Sequence, residues 1–169
     1  MDYFEVFGLP RTLGMDAAAL EKTFHQLSRQ YHPDYFTTAP EAERTKAVRM
    51  TALLNDAFRN RGDAYTDREQ YPLAIADETR AIDLNPEDAE AYNQRAWAYL
   101  KSGDVKKAFV DVNKSLSIDP KQPDALDTRG RVFEAMGKLK EAVADYQQAL
   151  TIEPTHEDSK DALDRLAGH

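Results

Sequence analysis

The chain has 169 residues, with 22 basic and 30 acidic side chains and a formal net charge of −8. Its 41% hydrophobic residues exclude a disordered acidic tail, and its acidic balance argues against a nucleic-acid-binding face. The absence of cysteine excludes disulfides, thiolate metal sites and thiol catalysis. No stretch approaches the ~18 apolar residues of a membrane span, and the first ten residues lack the features of a signal peptide. We therefore expect a cytoplasmic protein that contacts neither membrane nor nucleic acid.

The first third of the sequence predicts a helical hairpin. Residues 2–9 predict a short helix stopped by Pro10, and Asp16 is suited to cap a helix over residues 17–31. A second long helix begins near Glu41, and each long helix has an apolar stripe. The stripes are Leu20, Phe24, Leu27 and Tyr31 on the first, and Ala47, Met50, Leu54, Ala57 and Phe58 on the second. Two such helices form an antiparallel pair, whose loop is YHPDYFTTAP.

This loop contains His32, Pro33 and Asp34. Pro33 cannot continue a helix and disfavours the helical conformation at His32, so an imidazole and a carboxylate are expected at an exposed tip. Alone, the tripeptide is compatible with a simple polar helix stop. Its context is more specific, because DYFEVFGLP precedes it, QYHPD ends the first long helix and LLNDAF lies on the second. Together these segments resemble the J domain, the co-chaperone module that stimulates ATP hydrolysis by DnaK-type chaperones of the seventy-kilodalton heat-shock class.

The resemblance covers residues 1–58 and is greatest to the J domains of HscB-type proteins, which serve iron–sulfur cluster assembly. It implies that Asp34 pairs with an Arg of the chaperone, that Pro33 fixes the loop and that His32 holds it by local hydrogen bonds. Tyr35 departs from the family, in which a basic residue commonly follows the tripeptide, and this argues for weaker docking. The complete set of chaperone-binding residues implied by the resemblance is His32, Pro33, Asp34, Lys22, His25 and Arg29.

A period of 34 residues fills the rest of the chain. Residues of the same type recur at this spacing. Examples are Pro86, Pro120 and Pro154; Ala74, Ala108 and Ala142; and Arg61, Arg95 and Arg129. Each unit predicts two helices, which in the second unit span 89–101 and 105–118, with Gly103 in the left-handed conformation between them. The units resemble tetratricopeptide repeats at 55–88, 89–122 and 123–156, and residues 157–169 resemble a capping helix and tail. The predicted fold is therefore all-α, a J-domain hairpin continued into a three-repeat α-solenoid.

The second resemblance implies a concave groove, lined by the first helix of each repeat, that binds a peptide or a partner helix. In one subclass, Lys, Arg and Asn grip the C-terminal carboxylate of chaperones. Asp63, Asp124 and Thr128 stand where that pattern requires Asn, Lys and Arg, so an acidic groove preferring Lys or Arg is expected. Trp97 is either a peptide hot spot or a residue that stiffens the array by packing between helices. The predicted groove residues are Arg59, Asp63, Asn93, Gln94, Trp97, Lys101, Asp124, Thr128 and Arg131.

The two patterns overlap at residues 55–58, which predicts one continuous helix from residue 41 to 67 and no flexible linker. Such a join is compatible with natural recombination and with an engineered helix fusion. No spaced metal-ligand set, phosphate loop or nucleophile motif is present, so we expect neither an enzyme nor a cofactor.

The sequence thus predicts a monomeric co-chaperone that activates a DnaK-type chaperone and holds a client or adaptor protein in its groove. Two alternatives stay open. One is a role in iron–sulfur assembly, although no segment resembles the three-helix domain with which HscB-type proteins grip the cluster scaffold. The other is a passive interaction scaffold whose J domain is weak or inactive.

Overall fold

The computed structural model describes residues 17–168, except for the side chains at 17–21, 24, 25 and 33. The predicted helix over residues 2–9, the cap at Asp16 and the side chains of Leu20, Phe24, His25 and Pro33 therefore lie outside the described residues. The described part is all-helical, and none of its helices is both long and apolar enough to cross a membrane. The helices are α1 (Ala17–Gln30), α2 (Glu41–Asp67), α3 (Tyr71–Leu84), α4 (Ala89–Lys101), α5 (Val105–Ile118), α6 (Pro123–Ala135), α7 (Leu139–Ile152) and α8 (Glu157–Ala167).

The first two helices form the predicted hairpin. α1 ends at Gln30, one residue earlier than predicted, because Tyr31 makes the last helical hydrogen bond, to Leu27, and Pro33 has no N–H to continue the ladder. The loop is also more regular than predicted, since Pro33–Phe36 forms a 3₁₀ turn. The Thr51 hydroxyl donates a hydrogen bond of 2.9 Å to the Tyr31 carbonyl, which ties α2 to the end of α1.

The long helix α2 runs unbroken through 27 residues, which confirms the predicted continuity between the hairpin and the first repeat. Leu54 and Phe58 are fully buried on it, in a cluster that also contains Ile82 of α3 and Ala91 of α4. Leu27 of α1 packs against the same cluster. The hairpin and the first two repeats therefore share one apolar core, instead of forming separate cores joined by a linker.

The remaining helices stack as antiparallel pairs, α2 with α3, α4 with α5 and α6 with α7, followed by α8. The small residues Ala74, Ala108 and Ala142 are completely buried, as expected for points of close helix approach. The turn inside the second and third pairs uses glycine with positive φ, 89° at Gly103 and 74° at Gly137. Glu69 occupies the same register in the first pair and has φ 58°, so a non-glycine residue adopts the left-handed conformation there.

An arginine–aspartate pair recurs inside each of the three helix pairs. Each Arg donates from Nε and Nη2 to the two carboxylate oxygens of one Asp, at distances between 2.6 and 2.9 Å. Two of these arginines also donate through Nη1 to the preceding repeat, Arg95 to Thr79 and Arg129 to Asn113. The Arg column is one of the columns that mark the 34-residue period, and its aspartate partners share that period but were not predicted. The pairs are Arg61–Asp77, Arg95–Asp111 and Arg129–Asp145.

Candidate protein-binding surfaces

The tip of the hairpin displays His32 and Asp34 on the 3₁₀ turn. The Asp34 side chain is 83% exposed and the His32 side chain 35%. The Asp34 N–H donates to His32 Nδ1 over 3.4 Å, so the imidazole caps the turn through that nitrogen. The Tyr35 ring lies against the imidazole, with 5.8 Å between ring centroids, and is itself 71% exposed. The turn therefore presents a carboxylate to solvent and uses the histidine to hold its own backbone.

The other predicted chaperone-binding side chains that the structure describes lie on α1. Lys22 and Arg29 are both exposed and are separated by seven residues, which places them on one face of the helix. Arg29, His32 and Tyr35 also line a cleft of about 670 Å³ whose opposite wall is α3, at Thr79 and Asp83 among others. The repeat array thus adjoins the loop on one side, while Asp34 lies outside this cleft.

Most of the predicted groove residues come together between α4 and α6. They surround a concavity of about 280 Å³, which we call the Trp97 concavity. Two cations flank the indole ring of Trp97, with Lys101 Nζ 4.8 Å and the Arg131 guanidinium carbon 5.5 Å from the ring centroid. The lining residues are Asn93, Gln94, Trp97, Asp124, Asp127, Thr128, Arg131 and Asp158.

Several side chains that line this concavity already form hydrogen bonds with carboxylate groups of the protein itself. Arg131 donates from Nε to Asp127 at 2.6 Å and from Nη2 to Asp158 at 3.4 Å. Asp124 is 3.1 Å from Nε2 of His156, whose Nδ1 caps α8. Neither Asp158 nor His156 was predicted, because Asp158 belongs to the capping segment and His156 is the last residue of the third repeat, outside the helices expected to line the groove.

Three predicted groove residues do not line the Trp97 concavity. Lys101 contacts the Trp97 ring from outside it, whereas Arg59 and Asp63 lie on α2. Arg59 forms an ion pair with Glu90 and lies 3.9 Å from Asp88. Burial and the nearby Glu90 raise the pKa of Asp63, and Arg59 opposes this effect. The first repeat therefore brings several carboxyl groups around one arginine.

Glu78 on α3 is a polar residue in this region that the sequence analysis missed. It is 1% exposed, and neither carboxyl oxygen has a hydrogen-bond partner among the described residues. Burial raises its pKa to about 9, with Asp63 adding to the effect and Arg59 opposing it. A signal was present in the sequence, because the equivalent positions in the following repeats are Val112 and Tyr146, which do not ionise near neutral pH.

Comparisons with known proteins match both parts of the chain. The family model described as TPR repeat matches residues 62–103, and the model described as Tetratricopeptide repeat matches residues 89–122 and 123–156. The protein named Co-chaperone protein HscB homolog from Aeromonas hydrophila is 50% identical over 58 residues, which are 34% of this chain and 34% of that protein. This chain thus spans about a third of that relative's length.

Solved structures match the repeat array. The Arabidopsis OM64 TPR domain is 34% identical with a TM-score of 0.63, over 68% of this chain and 95% of that one. The second TPR domain of human RPAP3, in complex with the HSP70 peptide SGPTIEEVD, is 26% identical with a TM-score of 0.63. That match covers 69% of this chain and 98% of the RPAP3 chain.

Proposed function

Because this chain belongs to the tetratricopeptide-repeat family and includes a segment similar to HscB co-chaperone homologues, we propose that it is a co-chaperone linking a DnaK-type chaperone to a second protein. In this proposal the loop of His32, Pro33 and Asp34 binds the chaperone in the cytoplasm and stimulates its ATP hydrolysis. The hydrolysed phosphate belongs to the partner, and the loop only shifts the partner's conformational equilibrium. The repeat groove holds a client or adaptor protein.

The observation that carries this proposal is the exposed Asp34 carboxylate beside a histidine that caps the turn. A carboxylate displayed in this way can accept charge-assisted hydrogen bonds from an arginine of the partner. Lys22 and Arg29, exposed on one face of α1, would add attraction to an acidic chaperone surface and chiefly increase the association rate.

The test is the ATP turnover of a purified DnaK-type chaperone with and without this protein. Asp34→Asn removes the charge while keeping the side-chain shape, and we expect it to abolish stimulation; His32→Gln should do the same by releasing the turn. Glu41→Gln is the matched control, because it removes an exposed carboxylate outside the loop and should leave stimulation unchanged. Stimulation that survives Asp34→Asn would contradict the proposal.

The second candidate function is a passive interaction scaffold, and the exposed Tyr35 favours it. Its ring is 71% exposed where the J-domain pattern commonly has a basic residue. If the scaffold reading holds, the parent chain will not stimulate the chaperone. Tyr35→Lys would then be expected to create stimulation by adding a cation beside the loop.

A role in iron–sulfur assembly is a narrower form of the same proposal. It is suggested by the similarity to an HscB homologue, of whose length this chain spans about a third. It predicts binding to the cluster scaffold protein. A pull-down in which purified scaffold protein is not retained would contradict this role and leave the chaperone-activating proposal standing.

For the groove, we propose that an acidic chaperone tail is not the ligand. Asp63 and Asp124 would repel the carboxylates of SGPTIEEVD, the peptide bound by the RPAP3 domain, and Thr128 supplies no positive charge. Fluorescence anisotropy should show no saturable binding of this peptide to the parent chain. The double variant Asp124→Lys with Thr128→Arg should bind it, because it removes one carboxylate and adds two cations to the groove. Tight binding by the parent would contradict this part of the proposal.

A further inference from the structure

A second concavity lies where α2 passes the loops that join successive repeats. One wall is α2 itself, and the other consists of the α3–α4 and α5–α6 loops with the start of α4. Its volume is about 630 Å³, and it shares no lining residue with the Trp97 concavity. We call it the junction groove. The acidic residues that line it are Asp56, Glu87, Asp88, Glu90 and Asp119.

The junction groove exists because α2 is much longer than the other first helices of the repeats. At 1.5 Å per residue its 27 residues extend about 40 Å, against about 20 Å for the 13 residues of α4. The N-terminal half of α2, which belongs to the hairpin, therefore projects past the repeat and forms a wall beside the loops. Val48 on this wall is 65% exposed and Ala52 is also exposed, so the wall carries accessible apolar surface.

The charge of the junction groove is strongly negative. Five carboxylates line it, and Arg59 is its only lining cation among the described residues. Arg59 is already paired with Glu90. At the rim, Lys114 Nζ lies 3.6 Å from Glu87 Oε1. Asp56 and Asp119 have no ion-pair partner in the part of the chain that the structure describes. Such a surface attracts cationic groups and repels acidic ones.

An independent observation at Asn55 also indicates a ligand. Asn55 is 6% exposed, and its Nδ2 donates to Asp88 Oδ2 at 2.6 Å. Its Oδ1 has no hydrogen-bond donor among the described residues, although it belongs to a residue that lines the groove. A buried amide oxygen without a donor is unfavourable, so a donor supplied by a ligand would relieve this cost. The equivalent positions in the other repeats are Ala89 and Pro123, which have no such side-chain acceptor.

We propose that the junction groove binds a segment of a partner protein that carries Lys or Arg next to an aliphatic side chain. The cation is attracted by Asp56 and Asp119 beside the buried Asn55, while the aliphatic side chain packs on Val48 and Ala52. This inference goes beyond the proposed function, because it requires neither the His32 loop nor the Trp97 concavity. It assigns a binding role to the surface created by fusing the hairpin helix with the repeat helix.

The test uses the full chain and a short fluorescein-labelled peptide of Lys, Leu, Gly and Ser, together with a counterpart that has Glu in place of Lys. We expect fluorescence anisotropy to show saturable binding of the Lys peptide and none of the Glu peptide. Asp56→Lys combined with Asp119→Asn should raise the Kd about tenfold, since it replaces attraction by repulsion at the groove. Failure of the parent chain to bind the Lys peptide overturns the proposal.

A matched control separates the groove from general electrostatic attraction. Glu141→Lys with Asp161→Asn changes the net charge by the same amount at exposed positions on α7 and α8, and should alter the Kd by less than about twofold. Equal weakening by the two double variants would overturn the proposal, as would loss of binding in Trp97→Ala. Chaperone stimulation by the Asp56 and Asp119 variant should equal that of the parent, so this test can fail independently of the proposed function.

Discussion

At the scale of single residues, Glu78 is buried at a position where the other repeats have no acidic group. Its side chain lies above Gly62, where an added Cβ would overlap the carboxylate. The equivalent Tyr146 similarly covers Gly130, but its hydroxyl donates to Glu134 at 2.5 Å. Glu78 has no such partner among the described residues, and its pKa of about 9 means that it is protonated in the folded protein at neutral pH.

We therefore expect Glu78 to make the protein less stable as the pH rises from about 4.5 to about 9. In this range the carboxyl group is ionised in the unfolded chain but protonated in the folded one, so the folded state binds more protons. The free energy of unfolding should fall by up to about 1.4 kcal/mol per pH unit. Glu78 makes its full contribution to stability at a pH below about 4.5, the pKa in the unfolded chain. This contribution is lost once the pH exceeds about 9, the pKa in the folded protein. Urea denaturation of the parent and Glu78→Leu over this range measures the effect.

Glu78→Leu should flatten this pH dependence and be more stable than the parent at pH 8 by about 2 kcal/mol or more. Glu141→Leu, which removes an exposed carboxylate from α7, is the control and should follow the parent curve. Parallel curves for Glu78→Leu and the parent would show that the carboxyl is not protonated by burial.

At the scale of elements, each helix pair is held by its bidentate arginine–aspartate pair. In the third repeat, Arg129 donates to both oxygens of Asp145 at 2.7 Å, and the aspartate side chain is buried. Arg129→Met would leave that carboxylate buried without its cation. We expect it to lower the free energy of unfolding by about 3 kcal/mol, as measured by urea denaturation.

Asp145→Leu in the same chain should recover most of this loss, because no buried charge then lacks a partner. The exposed pair of Lys107 and Asp104 is the control, and Lys107→Met should leave the midpoint of urea denaturation almost unchanged. If Arg129→Met and Lys107→Met have equal effects, the buried pairs do not stabilise the helix pairs.

The backbone conformation of the turn between α2 and α3 leads to a separate prediction about stability. Glu69 has φ 58°, whereas the other two helix pairs have glycine at this register. Because a side chain disfavours the left-handed conformation, Glu69→Gly should raise the free energy of unfolding by about 1 kcal/mol. Gly103→Ala should lower it by a similar amount, and an unchanged or lower melting temperature for Glu69→Gly would contradict the prediction.

Local signals explain which elements the sequence could predict. The Pro and Gly columns act on the backbone at their own positions, so the predicted helices 89–101 and 105–118 coincide with α4 and α5. The continuity of α2 also followed from residues that fit both patterns. The 34-residue period shows that Glu78 shares a column with Val112 and Tyr146, but it does not show that the Glu78 carboxyl and Asn55 Oδ1 lack hydrogen-bond donors, because a missing donor depends on tertiary contacts. The junction groove depends on how far α2 passes the repeat loops, which is a tertiary property.

At the scale of the whole molecule, one apolar cluster connects the hairpin to the repeats. It contains Leu54 and Phe58 of α2, Ile82 of α3 and Ala91 of α4, with Leu27 of α1 packed against it. In a repeat array each repeat normally contacts, and is stabilised by, only the adjacent repeats. Here the hairpin is itself a neighbour, because its second helix is also the first helix of the array.

Phe58→Ala should therefore loosen the hairpin and the first repeats together. Removing this buried ring is expected to lower the free energy of unfolding by about 3–5 kcal/mol. Hydrogen exchange followed by mass spectrometry should show faster exchange in α1, α3 and α4, all of which contact the cluster. Ala162→Gly, at the buried face of α8, is the control and should accelerate exchange mainly in α7 and α8, where its own cluster lies. Faster exchange in the repeats with α1 unchanged would mean that the hairpin folds independently of the array.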